Sequence, residues 1–156
     1  MKHNKYFQSL VLILTILLVF WATSFARDLV IVRRVIDGDT FILDNGEKVR
    51  LIGVDTPETR HPQKPVQHFG KEASEFTRRM IEGKAILLKY DGKRSDRYGR
   101  LLAYVYLHDG TFLNAEIVKQ GYGFAYIRYP FKYLYEFRNY EREARENGRG
   151  LWSIKQ

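Results

Sequence analysis

The chain contains no cysteine. Disulfide frameworks, thiolate zinc sites and cysteine nucleophiles are therefore excluded. Histidine is scarce as well, 4 among 156 residues, which speaks against a histidine-built transition-metal centre. Any metal here should be a hard cation on oxygen ligands. Internal repeats, low-complexity tracts and linkers are all missing, and the length suits one domain. Wholesale disorder does not fit a composition that is 45% hydrophobic and 28% charged. Acidic side chains are in deficit, 18 against 26 basic ones, for a formal net charge of +8. That excess favours an anionic partner such as nucleic acid or an acidic surface.

Long apolar runs are also lacking, with one exception at residues 10–21, broken only by Thr15. Lys2 and Lys5 precede the run, and Ser24-Phe25-Ala26 follows it with small residues where a signal peptidase reads. This is the three-part pattern of a secretory signal, with cleavage expected after Ala26. The rival reading is an uncleaved membrane anchor, for which the run is short of the roughly 20 residues a span requires. The leader holds two lysines and no acid, so +6 of the charge belongs to the expected domain, residues 27–156.

Residues 29–36 form an apolar, β-branched run that ends at the turn composition Asp37-Gly38-Asp39. Residues 40–43 and 49–54 predict two more strands, joined by the hairpin signal Asn45-Gly46 and stopped by Asp55-Thr56-Pro57. Together the three read as a meander. A polar segment at 59–70, with Pro62 and Pro65, predicts a long surface loop. Ala73, Phe76, Met80 and Ile81 then recur at helical spacing over residues 71–82. Strands follow at 85–90 and 101–107, a short helix at 113–119 closed by Gly121, and a final helix at about 134–146. Residues 122–135 are dense in aromatics without a clear period. Five short strands with interspersed helices point to a small, partly open barrel of the OB-fold type.

A two-residue turn at Asn45-Gly46 would pair Asp44 with Glu47, Phe41 with Arg50 and Asp39 with Ile52. Asp39 and Asp55 then share one end of the hairpin. Two carboxylates converging there, with the Thr56 carbonyl beside them, could hold a hard cation; read separately, Asp37, Asp39 and Asp55 are simply turn formers. Arg50, inside an apolar strand, requires a partner. A salt bridge to Asp39, Asp55 or Glu58 would satisfy it, whereas a phosphate clamp would use its planar fork. Glu58 is then placed to take a proton from water. Arg97-Tyr98-Gly99-Arg100 either supplies a second guanidinium or is a solvated basic loop.

The segments Val35-Ile36-Asp37-Gly38-Asp39-Thr40, Arg50-Leu51-Ile52-Gly53-Val54-Asp55-Thr56-Pro57-Glu58-Thr59 and Asp96-Arg97-Tyr98-Gly99-Arg100 closely resemble the signatures of the staphylococcal nuclease (thermonuclease) family. His61-Pro62, Gly70-Lys71-Glu72-Ala73-Ser74, Leu102-Ala103-Tyr104 and Val118-Lys119-Gln120-Gly121 are similar too, so the resemblance runs from about Val30 to Trp152. It implies an α+β protein, a five-stranded OB-fold with three α-helices, acting as a calcium-dependent phosphodiesterase. Such an enzyme cuts DNA and RNA endonucleolytically, with low sequence specificity, and leaves 3′-phosphates. Carried over by motif, one Ca²⁺ would be held by Asp39, Asp55 and the Thr56 carbonyl. Arg50 and Arg100 would clamp phosphate and Glu58 would be the general base. Lys64, Tyr98 and Arg97, the last standing where the family often has Lys, would contact the nucleotide. Tyr126 and, less closely, Tyr129 match an aromatic nucleotide-binding stretch. A domain of this kind is expected to act as a monomer on DNA and RNA.

The residues alone do not choose Ca²⁺ over Mg²⁺, since two carboxylates plus water suit either ion. A rival of another class is an OB-fold module that binds nucleic acid without cutting it. That module would have no use for Asp39, Asp55 and Glu58 beside Arg50 and Arg100.

Overall fold

A computed structural model of the chain describes residues 7–16, 29–59 and 67–153. The order of the domain's elements is β1 (Leu29–Asp37), β2 (Thr40–Leu43), β3 (Lys48–Leu51), β4 (Val54–Asp55), α1 (Gly70–Ile81), β5 (Ala85–Lys89), β6 (Leu101–Leu107), α2 (Leu113–Lys119), β7 (Phe124–Ala125), α3 (Leu134–Glu146) and a 3₁₀ turn (Gly150–Trp152). Five strands close into a barrel in the order β1-β2-β3-β6-β5, and β4 pairs with β7 in a separate two-stranded ribbon. All neighbours in the barrel are antiparallel except β3 and β6, which run parallel. The expected five-stranded OB-type barrel with three helices is what the chain forms, closed where the sequence suggested a partly open one. Upstream of it, residues 7–16 are helical and exposed, and none belongs to the core. The predicted cleavage point after Ala26 lies outside the described residues, as does Lys64.

One hydrophobic cluster joins the inner faces of the strands, with Val32, Phe41, Val49, Leu51 and Val105 fully or almost fully buried, to Ile81 of α1, Ile117 of α2 and Phe137 of α3. The alternation of buried and exposed residues expected of half-buried strands is broken in β1, where Arg33 and Arg34 are both exposed. The pairing with β2 slips between Val32 and Arg34 and again between Val35 and Asp37. Glu82, just past α1, fills the irregularity by accepting the Val35 N–H at 2.7 Å.

Two sequence expectations are corrected. The hairpin pairs Thr40 with Arg50 and Phe41 with Val49, one residue away from the register a two-residue turn would impose. The Leu43 N–H donates to Glu47 at 2.9 Å and the Gly46 N–H to Leu43 at 2.9 Å, so the loop has three residues with Gly46 at φ 86°. This register sets two core residues, Phe41 and Val49, opposite each other, where the two-residue turn would have faced Phe41 with a charged Arg50. Second, the strand expected over 49–54 stops at Leu51 and resumes at Val54. Gly53 sits at φ 73°, and a β-carbon there would lie 2.5 Å from the Phe131 ring, so a bend at a bare glycine lets that ring close over the chain. The aromatic stretch at 122–135 also contains β7, which periodicity did not reveal.

Candidate active-site groove

Arg50 leaves the barrel wall from the strand that pairs with β2 on one side and β6 on the other. Its position is fixed from behind by Asn114 in α2, which is fully buried and fully used. Asn114 Oδ1 accepts the Val105 N–H at 2.9 Å, while Nδ2 donates to the carbonyls of Ile52 at 2.9 Å and Ala103 at 3.2 Å. The side chain thereby ties the end of β3 to β6. No motif advertised it.

Asp39 and Asp55 both reach the Arg50 guanidinium. Nη1 is in direct ion contact with Asp39 Oδ1, and Nη2 donates to Asp55 Oδ1 at 2.6 Å and to the Val54 carbonyl at 3.2 Å. Asp39 is 2% exposed. Its other oxygen accepts the Thr56 N–H at 2.8 Å and the Thr56 hydroxyl at 3.1 Å, and the Thr40 hydroxyl donates to Oδ1 at 2.9 Å. Burial pushes the Asp39 carboxyl up, against the pull of Arg50 and of these donors. Burial also works against the charge on Arg50, but the two carboxylates outweigh it and hold the guanidinium above its ordinary value. Direct contact with Arg50 and three further donors favour the charged form of the Asp39 carboxylate. The salt-bridge reading of Arg50 is thus realised with Asp39 and Asp55. Of a guanidinium's five donors, these contacts leave two free for an incoming oxygen.

The turn Asp37-Gly38-Asp39 is held in place by Thr77 of α1, whose hydroxyl donates to the Gly38 carbonyl at 2.6 Å. Asp37, also buried, accepts the Thr59 hydroxyl at 3.0 Å and the N–H groups of Gly38 at 3.1 Å and Thr59 at 3.3 Å. Glu58 lies against Asp37. Burial first, and then the neighbouring Asp37 carboxylate, raise its carboxyl above the usual range, making it a stronger base than a free glutamate. Its main chain is gripped by Gln67: the Glu58 N–H donates to Gln67 Oε1 at 2.9 Å, and the Gln67 N–H donates to the Glu58 carbonyl at 3.0 Å. Gln67 was not singled out from the sequence, since nothing there marks a residue nine positions on as a partner.

In front of Arg50 opens a groove of about 640 Å³. Arg50, Asp55, Arg97, Tyr98, Arg100, Tyr126 and Tyr129 all line it, whereas Asp39, Thr56 and Glu58 are not part of its lining. Arg100 is aimed by Asp96: Nε and Nη2 are each 2.7 Å from Asp96 Oδ2, and Asp96 Oδ1 accepts the N–H groups of Tyr98 at 2.8 Å and Arg100 at 3.0 Å. Although burial opposes its charge, these bonds hold the Asp96 carboxyl below the usual range. Arg97 is exposed, donates to the Tyr98 hydroxyl at 2.7 Å and stacks on that ring at 4.8 Å. Tyr126 hangs from the bend at Gly53, its N–H donating to the Gly53 carbonyl at 3.0 Å. Tyr98 and Tyr129 are 67% and 61% exposed, so both are surface rings and neither serves the core.

Among the described residues no cluster of three or more acidic, histidine or cysteine side chains surrounds one point. The oxygen set is smaller. Asp39 and Asp55 already share one cationic centre, the guanidinium. An all-oxygen donor pair of this kind fits a hard divalent cation.

Residues 48–154 match the family described as staphylococcal nuclease homologue. The chain is 44% identical over 124 residues to the thermonuclease of Staphylococcus hyicus, covering 77% of this chain and 73% of that one. It is also 44% identical over 126 residues to the thermonuclease of Staphylococcus intermedius, covering 78% and 74%. Over 126 residues it is 42% identical to the endonuclease YncB of Bacillus subtilis, covering 77% of this chain and 59% of that one. The family match takes in Arg50, Asp55, Glu58 and Arg100, and begins after Asp39. The closed barrel with its parallel β3–β6 seam and the long match agree: this chain belongs to the staphylococcal nuclease family.

Proposed function

We propose that this protein is an exported endonuclease that hydrolyses phosphodiester bonds of DNA and RNA with little regard to sequence, depends on Ca²⁺ and leaves 3′-phosphates. It acts as a monomer, after its leader is removed behind Ala26, as a single domain over residues 27–156. One observation carries the reading: two guanidiniums, Arg50 and Arg100, face one groove, each aimed by carboxylates. The named activities of the thermonuclease and endonuclease relatives support the reaction class. A Ca²⁺ held by the carboxylates of Asp39 and Asp55 and the carbonyl of Thr56 would supply Lewis-acid polarisation of the phosphate. The chain's own groups do the rest. The free N–H donors of Arg50, with Arg100, bind the phosphoryl oxygens and stabilise the charge that grows on them. Glu58 takes a proton as a water oxygen bonds to phosphorus, opposite the 5′-oxygen. The bond from phosphorus to the 5′-oxygen breaks, and that oxygen leaves as a hydroxyl after protonation by solvent. Tyr98, Arg97, Lys64, Tyr126 and Tyr129 hold the flanking nucleotides.

The test is cleavage of denatured DNA by the 27–156 protein with Ca²⁺ and with chelator, beside Glu58→Gln. Cutting that needs Ca²⁺, yields 3′-phosphate ends and falls by about 10²–10⁴-fold in the variant is the expected outcome. Salt-sensitive binding without any cutting would instead make this a non-catalytic OB-fold module.

A further inference from the structure

The walls of the groove carry Lys93 and Arg128 as well as the three arginines already described. Its carboxylates are each committed inside the fold. Asp55 serves Arg50 and Asp96 serves Arg100; Asp91 accepts the Tyr104 hydroxyl at 2.6 Å and the Lys132 N–H at 2.7 Å. Lys93 and Arg128 are exposed, and among the described residues neither has an ion-pair partner. They come from different segments, Lys93 from the loop between β5 and β6 and Arg128 from the chain after β7. Asp91 joins those two segments through its bond to Lys132. Beside Arg128, 5.9 Å away, stands the exposed ring of Tyr129.

Resting on the nuclease reading, we infer that Lys93 and Arg128 form a second phosphate grip, additional to the Arg50–Arg100 pair, that takes the backbone of a single strand several nucleotides long. A cation already neutralised by a carboxylate adds little net attraction for a polyanion. Lys93 and Arg128, unneutralised like Arg97, displace counterions from the strand and add to the salt dependence of its binding. The exposed Tyr129 ring beside Arg128 is placed to stack on an unstacked base, which favours single strand over duplex. OB-type grooves hold roughly 4–16 nucleotides, so a grip beyond the scissile phosphate is within reach of one strand.

The probes are deoxythymidine strands of two and of about ten nucleotides, cut by wild type and by Lys93→Ala/Arg128→Ala. Both positions are exposed, so the variant should fold, and its circular dichroism and melting would verify that. The expected loss in kcat/KM on the longer strand is about tenfold greater than on the shorter one, and it falls in KM. Binding of the longer strand in chelator, read by fluorescence anisotropy, should lose about 1.4 from its log–log salt slope. Equal losses on both lengths with an unaltered slope would overturn the second grip. If wild type cuts neither strand but the slope still falls in the variant, the grip stands and the nuclease reading is what fails.

Discussion

The role proposed for Glu58 requires its carboxyl to stay where the water will be, and Glu58 follows a proline on a surface segment. What steadies it is the reciprocal pair of hydrogen bonds between Gln67 and the Glu58 main chain. Gln67→Ala removes the acceptor for the Glu58 N–H and leaves the backbone bond intact. Gln67→Glu keeps an acceptor at that point. Because the base acts only in the chemical step, Gln67→Ala should lower kcat about tenfold, on the scale of one lost hydrogen bond, with KM little changed. Gln67→Glu should recover most of it. Equal damage in both variants, or a loss shared between kcat and KM, would return Gln67 to a purely structural role. Legibility at this scale follows the length of chain that an interaction spans. Asp39, Arg50, Asp55 and Arg100 stood in short, ordered motifs whose residue types announced charge chemistry, and the structure lines one groove with Arg50, Asp55 and Arg100 and sets Asp39 against Arg50. Gln67 and Asn114 act through main-chain groups far along the sequence, and a side chain that binds backbone leaves no pattern of types to read.

Elements were legible where hydrophobic periodicity was strong. Both longer helices and the strands β5 and β6 lie within a residue of their expected bounds, because each buries one continuous face. The failures came where a single glycine decided the path. Gly46 converts a two-residue turn into three and moves the whole hairpin by one register position, and Gly53 cuts one expected strand into β3 and β4. Polar connections were the least legible, yet Asp91 shows how much one can carry. It links the β5–β6 loop to Tyr104 on β6 and to Lys132 before α3. The Tyr104 hydroxyl, then the Lys132 N–H, hold its carboxyl below the ordinary range. A carboxyl held low in the fold stabilises only while ionised. Its contribution is present above the unfolded value near 3.9 and disappears as pH falls through the lower folded value. Asp91→Asn should therefore melt below wild type at neutral pH, by about 4 °C for a loss of roughly 1 kcal/mol, and the gap should close as pH drops below about 4. Thermal melts from pH 7 to pH 3 read this directly. A gap that stays constant over that range would mean that Asp91 does not act through its charge.

At the scale of the whole molecule, the barrel does not complete its own core. Phe137 of α3 is fully buried among Phe112, Phe131 and Tyr133, so the last helix supplies a central side chain to the cluster that the strands begin. The helix can do so only if the chain beyond it returns to the end of α2. There two glycines meet, Gly121 at φ 73° and Gly150 at φ 54°, and the Leu151 N–H donates to the Gly121 carbonyl at 2.8 Å. A β-carbon on Gly150 would strike the Gly121 carbonyl oxygen, and the left-handed backbone conformation is itself costly for any side chain. Relief would require the C-terminal turn to lift away and loosen the seat of α3. Gly150→Ala should then lose about 1–3 kcal/mol and melt at least about 5 °C lower. Since α3 shares one core with the barrel, unfolding should remain a single transition seen alike by far-UV and aromatic signals. A melt that splits in two would mean that α3 and the barrel hold together independently. The groove would then have to be understood as borne by the strands alone.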